Sequence, residues 1–207
     1  RAVVAAAGAV PLILLTHGHA DHSDGAHRLH ELTGAPVLAL DPAHRYGGQG
    51  LVEGTVLDGA GITVEVWATP GHTADSLSFV LSGDAGTATA VLTGDTILGR
   101  GSTVVAHPDG VLGDYLDSLH RLAILDGVSV LPGHGPELPD AGAAARGYLA
   151  HREQRLGQVR DALAEGGLQL SPHDVVRRVY ADVDQALWPA AELSVRAQLA
   201  YLRSAGA

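Results

Sequence analysis

Thr16-His17-Gly18-His19-Ala20-Asp21-His22 is the stretch on which the reading of this chain turns. It follows an apolar run, Pro11–Thr16, that reads as a buried strand, and it leads into a polar helical stretch, about Ser23 to Thr33. On extended backbone His17 and His19 point the same way, because side chains alternate with period two. A turn at Ala20 lets Asp21 and His22 aim at a second point nearby. Four good ligands within six residues can therefore serve two adjacent metal ions. A histidine-rich surface loop would not need to sit at the end of a strand.

Three later positions share one format, a ligand in a glycine-marked loop at the end of an apolar run. They are Pro70-Gly71-His72-Thr73, Thr93-Gly94-Asp95-Thr96 and Pro132-Gly133-His134-Gly135. Glycine lets the backbone turn sharply and approach an ion closely. The runs themselves, Pro36–Leu40, Ile62–Ala68, Leu77–Ser82, Ala88–Thr93 and Val128–Leu131, are expected strands, punctuated by Gly and Asp. Val111–Leu125 has helical spacing. Strands interleaved with helices indicate a layered α/β domain. Parallel or adjacent strands end at one sheet edge, so these loops can converge with the first motif. The candidate metal ligands are thus His17, His19, Asp21, His22, His72, Asp95 and His134. Of the other histidines, His27 and His30 are expected to pack or face solvent. His44, His107, His120 and His173 show no partner pattern, and His151, next to Arg152, stands where a catalytic domain would meet a helical tail.

Composition narrows the options. The chain has 207 residues, 46% of them hydrophobic, which suits one catalytic domain and a small accessory one. There is no long uncharged apolar run, so no membrane span is indicated and a cytoplasmic location is expected. Cysteine is absent, so disulfides and thiolate metal sites are excluded, and imidazole and carboxylate must hold any metal. Residues 1–140 carry 5 Arg against 16 acidic residues, whereas residues 141–207 carry 8 Arg against 7. That balance is not the basic footprint of a protein that grips nucleic acid by its phosphates. The chain contains no Met, and Arg1 to Gly8 reads as the tail of an alanine-rich helix. A preceding segment is therefore expected.

After Pro139 the pattern turns helical. Ala141–Glu165 is one long helical stretch ended by Gly166-Gly167, and Ser171–Tyr180 and Ala190–Ser204 follow. Ser171-Pro172 supplies an N-cap and a proline at the first helical position. The expected division is a catalytic domain over 1–140 and a helical unit over 141–207. Arg177-Arg178 is the only basic pair in that tail, too little for a DNA-binding claim.

The seven candidate ligands in this order resemble the His-x-His-x-Asp-His motif and the later His, Asp and His of the metallo-β-lactamase superfamily. Gly94-Asp95-Thr96-Ile97-Leu98-Gly99, Ser102-Thr103-Val104, Tyr115-Leu-Asp-Ser-Leu119, Leu131-Pro-Gly-His-Gly-Pro136 and Tyr148-Leu-Ala-His-Arg152 are similar to the beta-lactamase-like protein 2 group. The resemblance implies an αββα sandwich whose first strands are missing from this sequence, followed by a small helical, winged-helix-like C-terminal domain. It also implies that His17, His19 and His72 hold one metal, that Asp21, His22 and His134 hold a second, and that Asp95 bridges both.

The activity this implies is a hydrolase with two divalent metal ions, zinc above all, whose shared hydroxide attacks an ester, thioester or phosphodiester. Asp21 would orient that nucleophile or accept its proton. The partner is then a small ester or thioester, or single-stranded RNA, with no membrane involved. Three alternatives stay open: a single-strand-specific endoribonuclease, an iron-dependent sulfur dioxygenase, and a non-enzymatic metal-sensing or partner-binding module. True β-lactamase action is disfavoured, because the common zinc lactamases use a Cys at the second site or lack the bridging Asp.

Overall fold

The computed structural model describes residues 9–59, 61–83, 85–167 and 170–205. The expected helix tail at Arg1 to Gly8 lies outside those residues. Strands β1 (Ile13–Leu14) and β2 (Val37–Leu38) form a short parallel pair joined by helix α1 (Ala20–Thr33). Five further strands follow: β3 (Val56–Gly59), β4 (Ile62–Ala68), β5 (Leu77–Ser82), β6 (Ala88–Gly94) and β7 (Ser129–Pro132). They form one sheet in sequence order, antiparallel from β3 to β6, with β7 parallel to β6. Helix α2 (Leu112–Leu122) makes the crossover that a parallel pair requires.

Period-two alternation sorts the sheet's side chains between two cores. Trp67, Val80, Val91 and Val130 face α2 and the helices after it, whereas Val66, Leu77 and Phe79 join Leu38 and Leu51 on the opposite face. Ile13, Leu15, Val37 and Ala39 pack with Ala26 of α1. The layers are therefore helix, short sheet, long sheet, helix, the expected αββα order.

Helix α3 (Ala141–Gly166) buries Ala141, Gly142 and Ala145 along its first turns, then Leu156, Val159 and Ala162 further on. Its later part meets α4 (Pro172–Val179) and α5 (Trp188–Ser204), which share its hydrophobic cluster. Helix α4 opens with a reciprocal capping box: Ser171 accepts from the Asp174 backbone, and the Asp174 side chain accepts from Ser171. Among the described residues, no helix is long and apolar enough to cross a membrane.

Several bounds differ from expectation. Pairing confines β1 and β2 to two residues each, and α1 begins at Ala20 because His19 takes the N-cap position. Strand β3 was not expected, since its residues are mostly exposed and show no apolar run. The topology also explains convergence at one edge. Because β4 and β6 each run antiparallel to β5, and β7 runs parallel to β6, the C-terminal ends of β4, β6 and β7 share one side.

Candidate metal centre

That shared edge carries the loops with His72, Asp95 and His134, and β1 delivers the histidine motif to it. Leu77 donates its backbone N–H to the Thr16 carbonyl at 2.7 Å, tying the end of β1 to β5. Gly94 closes the other side: its φ of 50° is left-handed, and a Cβ there would lie 2.7 Å from Cβ of Thr16. The Asp95 and His134 loops are laced together by Gly133 N–H to the Gly94 carbonyl at 2.8 Å and Gly99 N–H to the His134 carbonyl at 2.9 Å. Within α1, Asp21 occupies the first turn, where a carboxylate suits the helix dipole.

The structure brings all seven candidate ligands together. Ligand atoms of His17, His19 and His72 lie within 4.8 Å of one another, as do those of Asp21, His22 and His134, and those of His17, His22 and Asp95. Asp95 stands between the two outer groups. Its Oδ1 is 3.4 Å from His22 Nε2, and its Oδ2 is 3.8 Å from His72 Nε2 and 3.6 Å from His134 Nε2. Asp21 Oδ2 lies 3.0 Å from His134 Nε2.

The donor set suits a divalent cation. His72 Nδ1 lies 2.8 Å from the Val104 carbonyl, which can only accept, so Nδ1 carries the proton and the bare Nε2 faces the cluster. That Nε2 is 3.1 Å from His19 Nδ1, which is also 3.1 Å from His17 Nε2, and His22 Nε2 is 3.2 Å from His134 Nε2. Two nitrogens bound to one tetrahedral ion at ordinary zinc distances stand about 3.3 Å apart. Asp95 Oδ1 is buried without a hydrogen-bond partner, which is costly for a carboxylate unless a cation sits beside it. Gly133 leaves no room for a side chain here, since a Cβ would meet Asp95 Oδ1 at 2.6 Å and His22 Cε1 at 2.7 Å.

Electrostatics follow from burial. Desolvation, reinforced by His22, His72 and His19, holds the His17 pKa down to about 3. Burial also lowers His72, against the opposing pull of its Val104 bond and of Asp95. Both rings are thus neutral and available as ligands at ordinary pH. Partial desolvation pushes Asp21 upward, but its own backbone N–H, His22 and His134 together hold it below the usual carboxylate range.

Among the other histidines, His27 lies with its ring 4.6 Å from that of Tyr46, and His30 bonds the Ala35 carbonyl at 2.7 Å. Both roles are structural. His44 and Asp75 sit against the motif itself, where a Cβ on Gly18 would come 2.5 Å from His44 Nε2 and 3.2 Å from Asp75 Oδ2. Nothing local marks either residue in the sequence, because only the fold brings His44 of the 41–50 loop and Asp75 of the loop before β5 up to Gly18.

Known proteins share this architecture. A family model for the beta-lactamase associated winged helix domain matches residues 171–206. Lactamase-like protein aptB of Emericella nidulans is 31% identical over 206 residues, 88% of this chain and 63% of that protein. The beta-lactamase-like protein 2 homolog of Caenorhabditis elegans is 30% identical over 200 residues, 93% of this chain and 65% of its own length. An atrochrysone carboxyl ACP thioesterase of Aspergillus fumigatus is 33% identical over 161 residues, 74% of this chain and 47% of the enzyme. The chain spans about half to two thirds of the length of these relatives. Among solved structures, the metallo-beta-lactamase family protein TTHA1429 of Thermus thermophilus shares the fold at a TM-score of 0.76 and 24% identity, covering 96% of this chain and 76% of that one. TTHA1623, solved in a di-iron-bound form, is 30% identical at a TM-score of 0.56, covering 70% and 80%. On its ordered ligand motif, its layered fold and these relatives, the chain belongs to the metallo-β-lactamase superfamily and carries the associated winged-helix domain at residues 171–206.

Proposed function

We propose that this chain is a hydrolase that holds two divalent cations, zinc before others, and cleaves a small ester or thioester. The observation that carries the reading is Asp95 Oδ1, buried without a partner among converging imidazole nitrogens. His17, His19 and His72 would hold one ion, Asp21, His22 and His134 the other, and Asp95 would lie between them. Such a pair of cations supplies Lewis acidity and brings the pKa of a water toward about 7. The residues do the rest. Asp21, with its side chain 60% exposed and its carboxylate ionised, orients the attacking water and accepts its proton. Asp95 fixes the separation of the two ligand groups. His72 is locked in one tautomer by Val104, so its ring needs no reorganisation.

A thioester or small ester is favoured over RNA on two grounds. One relative is a thioesterase. The segment that carries every candidate ligand has 5 Arg against 16 acidic residues, a poor match to a polyanion. In this reading residues 1–140 form the catalytic unit and residues 141–207 an appended helical one. Iron is the rival metal, because a relative with 30% identity was solved with two iron ions.

Elemental analysis of the purified protein, with parallel assays on a thioester and a phosphodiester, tests the reading. Two equivalents of zinc with thioester cleavage is the expected result. Phosphodiester cleavage alone would move the substrate to nucleic acid. One equivalent of iron without hydrolysis would overturn the assignment.

A further inference from the structure

The segment from Asp95 to Val104 carries two groups on which the centre depends. One is the Asp95 carboxylate, and the other is the Val104 carbonyl that fixes His72 at 2.8 Å. The segment is neither helix nor strand. Its backbone groups must therefore find partners elsewhere.

Some of those partners lie at the end of β6 and in the His134 loop, and the rest come from α2 and α3. Tyr115 donates its hydroxyl to the Thr96 carbonyl at 2.7 Å, and burial pushes that phenol up, so it stays a donor. The Tyr148 hydroxyl accepts from the Leu98 backbone N–H at 3.0 Å and donates to the Gly101 carbonyl at 2.9 Å. Arg152 donates from Nη2 to the Thr103 carbonyl, and its guanidinium lies 5.1 Å over the Tyr115 ring. Thr103 in turn donates its hydroxyl to the backbone carbonyl of Asp95, so the segment closes on itself.

Arg152 is the telling member. It is 3% exposed, and its Nε has no partner. Burying such a group is costly, and helix packing alone is served better by an apolar side chain. What Arg152 reaches for here is the carbonyl one residue before the His72 acceptor.

We propose that Tyr148 and Arg152 are positioning residues for the metal centre, clamping the 95–104 segment so that Asp95 and, through Val104, His72 stay aligned with the other ligands. The inference rests on the metal reading above. It also makes α3, the first helix of the tail, part of the centre's support, so the tail is coupled to the site through two side chains.

Cobalt(II) titration of the purified chain tests this, since its visible bands report ligand geometry without any substrate. Tyr148→Phe removes one hydroxyl, and Arg152→Lys keeps the charge but loses the planar fork. Arg155→Ala is the control. Arg155 lies one turn further along α3 and bonds the Val179 carbonyl at 2.8 Å, away from the segment. Tyr148→Phe and Arg152→Lys are expected to weaken cobalt binding by about 10–100-fold and to shift the bands. Arg155→Ala should lower the melting temperature yet keep wild-type affinity and bands. Unchanged affinity and spectrum in both test variants overturns the clamp, and so does an equal loss of affinity in Arg155→Ala. A wild-type chain that takes up no cobalt overturns the metal reading itself, and the clamp with it.

Discussion

The two ligand groups that meet at Asp95 differ most in their access to water. In the first group His17 and His72 are buried and only His19 is exposed, whereas in the second His134 and Asp21 are exposed, their side chains at 52% and 60%, and only His22 is largely covered. The buried group sits where β1 and β4 end against the core. The open group sits on the first turn of α1 and the loop after β7. Burial holds the deep histidines neutral before any ion arrives, so they act as a preformed socket. The open group trades that enclosure for access, and under the proposed function a substrate and an attacking water enter from its side. Under the proposed function, the difference assigns retention to one half and reaction to the other.

The strongest way to break this division is to remove what the halves share. Asp95→Ala should eliminate one metal equivalent and lower kcat by at least about 10²-fold, the scale of losing one preorganised electrostatic group. Elemental analysis and steady-state rates would check both numbers. Two tightly bound ions in that variant would sink the bridging role. Next in size is the contrast between His72→Ala and His134→Ala. The first deletes a buried ring and strands the Val104 carbonyl, at a stability loss of about 2–3 kcal/mol in denaturant titration. The second should change stability by less than about 0.5 kcal/mol while still weakening binding of one ion. Equal losses in the two variants would erase the distinction between socket and open side.

How much of this was legible in the sequence follows from how far apart the partners lie. The histidine motif is complete within Thr16–His22, and three glycine-marked loops repeat one format, so all seven candidate ligands could be named from spacing alone. Strands β4 and β5 fall where their apolar runs placed them. Strand β3 escaped because an exposed edge strand needs no apolar run, and β1 was overestimated because pairing, not hydrophobicity, set its length. The clamp was out of reach for a different reason. Arg152 and Thr103 are 49 residues apart, and neither type marks a carbonyl contact in advance. The Tyr148–Arg152 stretch was visible only as a resemblance, and its physical use came from the packing of α3 onto the 95–104 segment.

A last test sharpens the comparison without any mutation, by acid titration of the metal-stripped protein. His17 has a folded pKa of about 3 against 6.5 for the free side chain, and His72 is lowered too. Between those values the unfolded chain binds protons that the folded chain refuses. Stability must therefore rise with pH across this window and fall as the solution is acidified below about 6.5. From pH 7 to pH 5, His17 alone accounts for about 2 kcal/mol of loss. Asp21 on the open side is shifted the other way. Its folded pKa lies below 3.8, so its contribution is lost only in more acid solution and leaves this window to the buried histidines. Urea denaturation at the two pH values measures the slope directly. Saturating zinc should keep or steepen it, because a bound ion bars protons from the other ligating imidazoles too while the unfolded chain still takes them up. A metal-stripped protein with equal stability at pH 7 and pH 5 would mean that water already reaches the socket.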